Sequence, residues 1–166
     1  MNNLSYEKTL NLALKIISRR PRSVAMLREK LVEKSGADSQ IIEQVINRLI
    51  DLGYLNDGNF AYQYAVSKLN VRAMGRGRLQ QTLVQKQVPK EIAKEALSQV
   101  FTEQDETQLC DNALAKYLRL HGRPRDQKES KKLFGYLIRL GFPYSLVIEK
   151  VRSISQKDVS LELIIE

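Results

Sequence analysis

The chain has 166 residues, 27 of them Lys or Arg against 19 Asp or Glu, which gives a net charge of +8 and a pI near 9.6. A single cysteine, Cys110, excludes an intrachain disulfide framework and fits a reducing compartment, and a single histidine, His121, excludes a histidine-based metal site or proton relay. No apolar run approaches the roughly 20 residues of a membrane span. Residues 1–7 lack a basic segment leading into an apolar stretch, so a soluble cytoplasmic protein without a signal peptide is expected.

Eight glycines and four prolines leave long unbroken segments, which favour helix. From Ser5 to Ser18, Leu10, Ala13, Leu14 and Ile17 recur at the spacing of one helical face, with Ser5 as the expected N-cap. A second helix is expected over 23–34, carrying Met26, Leu27 and Leu31 and ending before Gly36. Asp38-Ser39 should cap a third, with Ile42, Val45, Ile46, Leu49 and Ile50 as its stripe, stopped by Gly53. The pattern then recurs. A helix over 57–69 carries Ala61, Tyr64 and Ala65, and one over 76–86 carries Leu79 and Leu83. Pro89 opens the next, with Ile92, Ala93, Ala96, Leu97 and Val100. A third round places Cys110, Ala113, Leu114 and Tyr117, then Leu133 and Leu137. Pro143 then opens a helix with Leu146, Val147, Val151 and Ile154.

Each middle helix holds two leucines four apart: Leu27/Leu31, Leu79/Leu83 and Leu133/Leu137. Leu83 follows Leu31 by 52 residues, and Leu137 follows Leu83 by 54. Such a period is the mark of a repeat architecture. The expected fold is all-α: three tandem three-helix, helix-turn-helix-like repeats at 1–57, 58–101 and 102–154, then a tail at 155–166. The alternation Val159-Ser160-Leu161-Glu162-Leu163 in the tail is the one strand-like stretch.

Charge divides unevenly among the repeats. The first carries nine basic and seven acidic side chains, the second seven and two, the third ten and seven; the tail is net −2. The cations collect between the first and second helices of each repeat. Arg19, Arg20 and Arg22 stand there in repeat one, and Lys68, Arg72, Arg76 and Arg78 in repeat two. Arg119, Arg123 and Arg125 do so in repeat three, followed by Lys128, Lys131 and Lys132. Regular stacking would align these junctions as a basic stripe along an elongated molecule, suited to a polyanion or an acidic protein groove. The competing reading is that charges collect in solvated loops anyway. In Gly75-Arg76-Gly77-Arg78 the glycines allow close backbone approach or positive φ, and the arginines could grip phosphate or carboxylate in a fork; a plain loop and helix start is the alternative.

No catalytic constellation is present. Cys110 lies on an apolar helical stripe and reads as a small core residue. His121 has no carboxylate or cysteine partner in sequence, and no phosphate-binding loop occurs. A non-enzyme with no cofactor and no metal is therefore expected. Tyr64 and Tyr117 sit on apolar stripes as core, whereas Tyr144 beside Pro143 is the better surface candidate for base stacking.

Gly53-Tyr54-Leu55-Asn56-Asp57 followed by Phe60-Ala61 resembles the signature of the RecX family, regulators of the RecA recombinase. The resemblance runs on through Gly75-Arg76-Gly77-Arg78-Leu79 to Leu83, Lys86 and Val88. It continues with Lys132-Leu133, Leu137, Arg139, Gly141-Phe142, Ile148 and Val151, and covers about residues 8–154. Asn56 stands where Asp is usual, and Gln87 where a helix-ending Gly is usual. The resemblance implies three tandem three-helix repeats in an elongated, curved molecule, binding along the groove of the RecA filament and down-regulation of the recombinase. The expected partners are then the RecA filament and single- or double-stranded DNA without strong sequence preference, bound by a monomer, with no membrane. A helix-turn-helix DNA-binding protein acting without RecA is the alternative, with Gln80, Gln81, Gln85 and Gln87 as the nearest approach to a base-reading set. A scaffold whose charges do nothing specific is the third reading.

Overall fold

In a computed structural model, which describes residues 2–154, the helices follow one another as α1 (Asn2–Arg19), α2 (Val24–Lys34), α3 (Ser39–Asp51), α4 (Asp57–Val71), α5 (Arg76–Gln85), α6 (Lys90–Glu103), α7 (Glu106–His121), α8 (Gln127–Arg139) and α9 (Tyr144–Ile154). No strand occurs among the described residues, and the tail at 155–166 with its alternating stretch lies outside them. The all-α repeat fold is as the periodicity predicts. One start differs. Ser5 does not cap α1, which begins three residues earlier; the Ser5 carbonyl instead accepts from Thr9 Oγ one turn on (2.8 Å).

The caps explain most boundaries. Ser23 Oγ accepts from Met26 N–H (3.2 Å) and starts α2. Asp38 accepts from Gln40 N–H (2.7 Å) to start α3, and Asn56 from Asn59 N–H (2.8 Å) to start α4. Asn serves as well as Asp in this last role, because only the side-chain oxygen is used. Asp105 and Asp126 do the same for α7 and α8. Gly53, Gly122 and Gly141 end α3, α7 and α8 with positive φ, the conformation glycine adopts at least cost.

Two compact units result: Met1–Tyr64 with Thr82–Ala96, and Ala65–Gln81 with Leu97–Glu166. The three helices of the middle repeat thus divide between them. In the first unit, Ala13 of α1, Leu27 and Leu31 of α2, and Ile42, Val45, Ile46 and Leu49 of α3 form a core, closed by Leu55. Arg28 of α2 makes a forked pair with Glu43 of α3 (2.6 and 3.1 Å) over its surface, and that pair holds the Glu43 carboxyl below its ordinary value. In the second unit, Cys110, Ala113 and Leu114 of α7, Leu133 and Leu137 of α8, and Val147 and Val151 of α9 form the other core, closed by Leu140 and Phe142. Leu31, Leu83 and Leu137 are each wholly buried, as the leucine register requires.

Each unit also contains a junction between middle helices. In the first, the start of α2 meets the end of α5: Ser23 Oγ donates to the Lys86 carbonyl (2.7 Å), and Val24 N–H donates to the Asp57 carboxylate (2.8 Å). Burial raises the Asp57 carboxyl despite that bond. In the second, the start of α5 meets the end of α8. Gly75 N–H donates to Leu140 O (2.8 Å), Gly77 N–H to Gly141 O (3.0 Å) and Arg76 N–H to Glu106 Oε1 (2.7 Å). Helix starts carry unsatisfied N–H groups and helix ends unsatisfied carbonyls, so each end supplies what the other lacks. The approach is backbone to backbone. A methyl group on Gly75 would overlap the Gly141 carbonyl, and one on Gly141 would overlap the Arg78 amide. The glycines of the Gly-Arg-Gly-Arg stretch therefore serve a contact inside the chain.

Gly75→Ala should lower unfolding stability by about 1–3 kcal/mol or more through overpacking. Gly36→Ala, at a positive-φ glycine with open space around it, should cost only the backbone strain of about 1 kcal/mol. Urea unfolding of the two variants gives that order, and equal losses would count against the close approach. Gln87 holds φ +58° at the end of α5, at the offset from Leu83 that Gly141 has from Leu137. Its amide donates to Glu29 (3.1 Å) at the surface. Gln87→Gly should raise stability by about 1 kcal/mol, read as a higher urea midpoint at unchanged slope.

Candidate nucleic-acid interface

The basic junctions are real surface features, but their members are not alike. In the first unit, Arg19 ends α1 and Arg20 follows it, both exposed. Arg22 is half-buried, and its Nε is enclosed without a hydrogen-bond partner. In the second unit, Lys68 on α4, Arg72 in the α4–α5 turn and Arg78 on α5 are exposed. Arg76 is half-buried and committed elsewhere. Its guanidinium lies 5.0 Å from the centre of the Phe101 ring and donates from Nη1 to Ser98 Oγ (3.3 Å). That combination of cation–π and hydrogen bonding anchors the start of α5 on α6. Also in the second unit, Arg123 and Arg125 occupy the α7–α8 turn, with Lys131 and Lys132 on the first turns of α8, all exposed. Glu129 sits among them and accepts from Arg125 N–H (2.8 Å), which weakens the positive field there.

The second unit brings Arg72 and Arg78 together with a cation absent from the expected set, Arg139. The three line an open cleft of about 660 Å³ between the start of α5 and the end of α8, with Gln81, Met74 and Tyr136. The sequence marks Arg139 as part of the family resemblance but not as a binding cation, because it closes a helix where a cation is ordinarily explained by the dipole. A signal was available in Gly135, one turn before it. A glycine inside a helix costs about 1 kcal/mol, and here it leaves room for the Arg139 guanidinium, whose Nη1 would be 3.3 Å from an added methyl.

Cys110 is buried between α7 and its neighbours, and burial pushes its thiol up to about 11, which makes it a poor nucleophile. His121 is exposed and packs at a tilt against Tyr117, ring centres 4.5 Å apart. Tyr117 and Tyr64 are half-buried on their stripes, and Tyr144 is exposed with its ring edge-on to Phe134 (5.4 Å). Among the described residues no group of three or more His, Cys, Asp or Glu could hold a metal ion, and no helix is long and apolar enough to cross a membrane.

Comparison with known proteins agrees with this architecture. The RecX first three-helix domain matches residues 10–49, and the RecX second three-helix domain matches residues 56–97. Regulatory protein RecX of Chlorobaculum tepidum is 34% identical over 143 residues, which span 86% of this chain and 86% of that protein. Regulatory protein RecX of Clostridium perfringens strain 13 is 30% identical over 152 residues, spanning 91% of this chain and 70% of that one. The crystal structure of RecX from Lactobacillus salivarius shares the fold with a TM-score of 0.80 at 23% identity, over 90% of this chain and 96% of that one. Two matched three-helix domains, a shared fold and 34% identity over 86% of both chains to the Chlorobaculum tepidum protein place the chain in the RecX family of regulatory proteins.

Proposed function

We propose that the chain binds filaments of the RecA recombinase on single-stranded DNA and inhibits their activity. It acts as a cytoplasmic monomer, without a cofactor and without catalysing a reaction. Membership of a family of regulatory proteins carries this reading. The exposed basic residues support it, because they suit DNA within a filament or an acidic protein surface beside it. In this reading the functional modules are residues 1–57, 58–101 and 102–154. Their cations, Arg19, Arg20, Arg22, Lys68, Arg72, Arg78, Arg123, Arg125, Lys131 and Lys132, are the contact residues. Arg76 belongs to this set by position but acts through its anchoring of α5. The mechanism is steric and electrostatic: contacts spread over modules bridge recombinase protomers and compete with DNA strands or incoming subunits.

The test is recombinase ATP hydrolysis on single-stranded DNA with increasing amounts of this protein. Hydrolysis should fall at far fewer copies than one per recombinase protomer, and Cys110→Ala and His121→Ala should leave that effect intact. Neutralising the three basic junctions together should weaken it more than neutralising any one. Hydrolysis and strand exchange both untouched at saturation would sink the reading.

A further inference from the structure

We propose that the cleft between the start of α5 and the end of α8 is a binding site for single-stranded nucleic acid, with Arg72, Arg78 and Arg139 holding backbone phosphates and Tyr136 offering a ring on which a base stacks. The proposal rests on the function proposed above and deepens it, by separating the cations that meet DNA from those left to meet protein.

Three features carry it. The first is the sign of the lining. Three arginines and no carboxylate border the 660 Å³ cleft. An arginine fork binds phosphate oxygens in pairs, and a concave low-dielectric wall concentrates the field of like charges.

The second is continuity. An adjoining cleft of about 290 Å³ is lined by Arg72 and Tyr136 again, and adds Lys116, Asn70 and Asn112. Arg72 and Tyr136 therefore border both hollows, and the positive lining passes from Arg78 and Arg139 through Arg72 to Lys116 without an acidic side chain. A track of cations is what a strand with one charge per nucleotide requires, whereas a single small anion needs one hollow.

The third is the aromatic element set within that track. Tyr136 packs at a tilt of 42° against Tyr117, ring centres 5.0 Å apart, and Tyr117 at a tilt of 43° against His121 at 4.5 Å. The neighbours hold the Tyr136 ring in place, so little side-chain freedom is lost when a base packs against it. Phosphate-binding cations alternating with aromatic rings are the mark of single-strand binding, because unpaired bases expose their faces and paired bases do not. An acidic peptide would use the arginines but has no need of the ring. Gly135 adds to the case: α8 accepts a helix-weakening residue where it lets the Arg139 guanidinium lie against the helix beside the cleft.

The experiment is fluorescence anisotropy of a labelled short oligothymidylate with the full chain, over a series of salt concentrations and without recombinase. Replacing Arg72, Arg78 and Arg139 with Ala together should weaken binding at least tenfold and reduce the log–log salt slope by about 2, at roughly 0.7 per lost phosphate contact. Tyr136→Leu should weaken binding roughly five- to a hundredfold at an unchanged slope, while Tyr136→Phe binds as the parent does. Removing three exposed charges elsewhere, with Lys8, Lys15 and Lys90 all changed to Ala, should have much less effect than removing the three arginines. Thermal melts of each variant report whether it is folded. Duplex DNA, polyglutamate and a free nucleoside triphosphate should each compete poorly with the oligonucleotide.

Equal loss in the two triple variants would overturn the proposal, as would parental binding by the arginine variant or equal competition by polyglutamate. Strong competition by the free nucleotide would reassign the cleft to a small phosphorylated ligand and overturn the single-strand track. Recombinase hydrolysis measured with the same proteins keeps the two ideas apart. If the parent inhibits hydrolysis while the arginine variant binds oligonucleotide normally, the cleft proposal falls and the filament reading stands. If oligonucleotide binding behaves as described while hydrolysis and strand exchange are untouched, the reverse holds.

Discussion

The meeting of the α5 start with the α8 end is the contact on which the second unit depends. Three successive amides, at Gly75, Arg76 and Gly77, find acceptors at Leu140, Glu106 and Gly141. No side chain caps α5 in the ordinary way, so these acceptors replace the cap. A helix end buried without partners would lose on the order of 1–3 kcal/mol for each unpaired group. Glycine at 75 and 141 follows directly, since a Cβ at either place would occupy the space of the facing backbone. The same contact sets the position of Arg78, and with it one wall of the basic cleft.

The equivalent junction in the first unit reaches a similar end by different chemistry. Ser23 replaces Gly75 and uses its hydroxyl twice, accepting from Met26 N–H and donating to the Lys86 carbonyl. Asp57 supplies the acceptor for Val24 N–H, much as Glu106 does for Arg76 N–H. The aspartate at the end of the Gly-Tyr-Leu-Asn-Asp stretch thus acts on a helix start 33 residues earlier in the chain. A local reading of that stretch sees only the cap of α4, which Asn56 provides.

This contrast explains what was legible in the sequence. Helix identity and order were, because apolar spacing at 3.6 residues and cap residues such as Asp38 and Asp126 act locally. The leucine register was too, because Leu31, Leu83 and Leu137 face the same kind of core. The use of Gly75 and Gly77 was not, since their partners at 140 and 141 lie more than 60 residues away and no local pattern names them. The first turn of α1 is not legible, because Ser5 has the chemistry of a cap but sits equally well inside a helix. In the site, clustering of cations was visible, yet sequence alone could not sort Arg76, held by Phe101 and Ser98, from Arg72 and Arg78. Arg139 was invisible as a partner of those two for the same reason as Gly141: tertiary folding brings it there.

Capping one helix with groups from the following repeat also constrains the order in which the protein can be made. As the chain leaves the ribosome, α2 lacks its hydroxyl acceptor until Lys86 emerges, 63 residues after Ser23. The start of α5 in turn lacks its carbonyls until residues 140 and 141 have emerged. The middle helix of each of the first two repeats is therefore left unfinished at its start until the next repeat has been synthesised. Contacts this distant in sequence slow folding, since the intervening loop must close first. A nascent chain halted before residue 140 would leave the amides of Gly75 and Gly77 without these acceptors, so the start of α5 would be completed only by the last third of the chain.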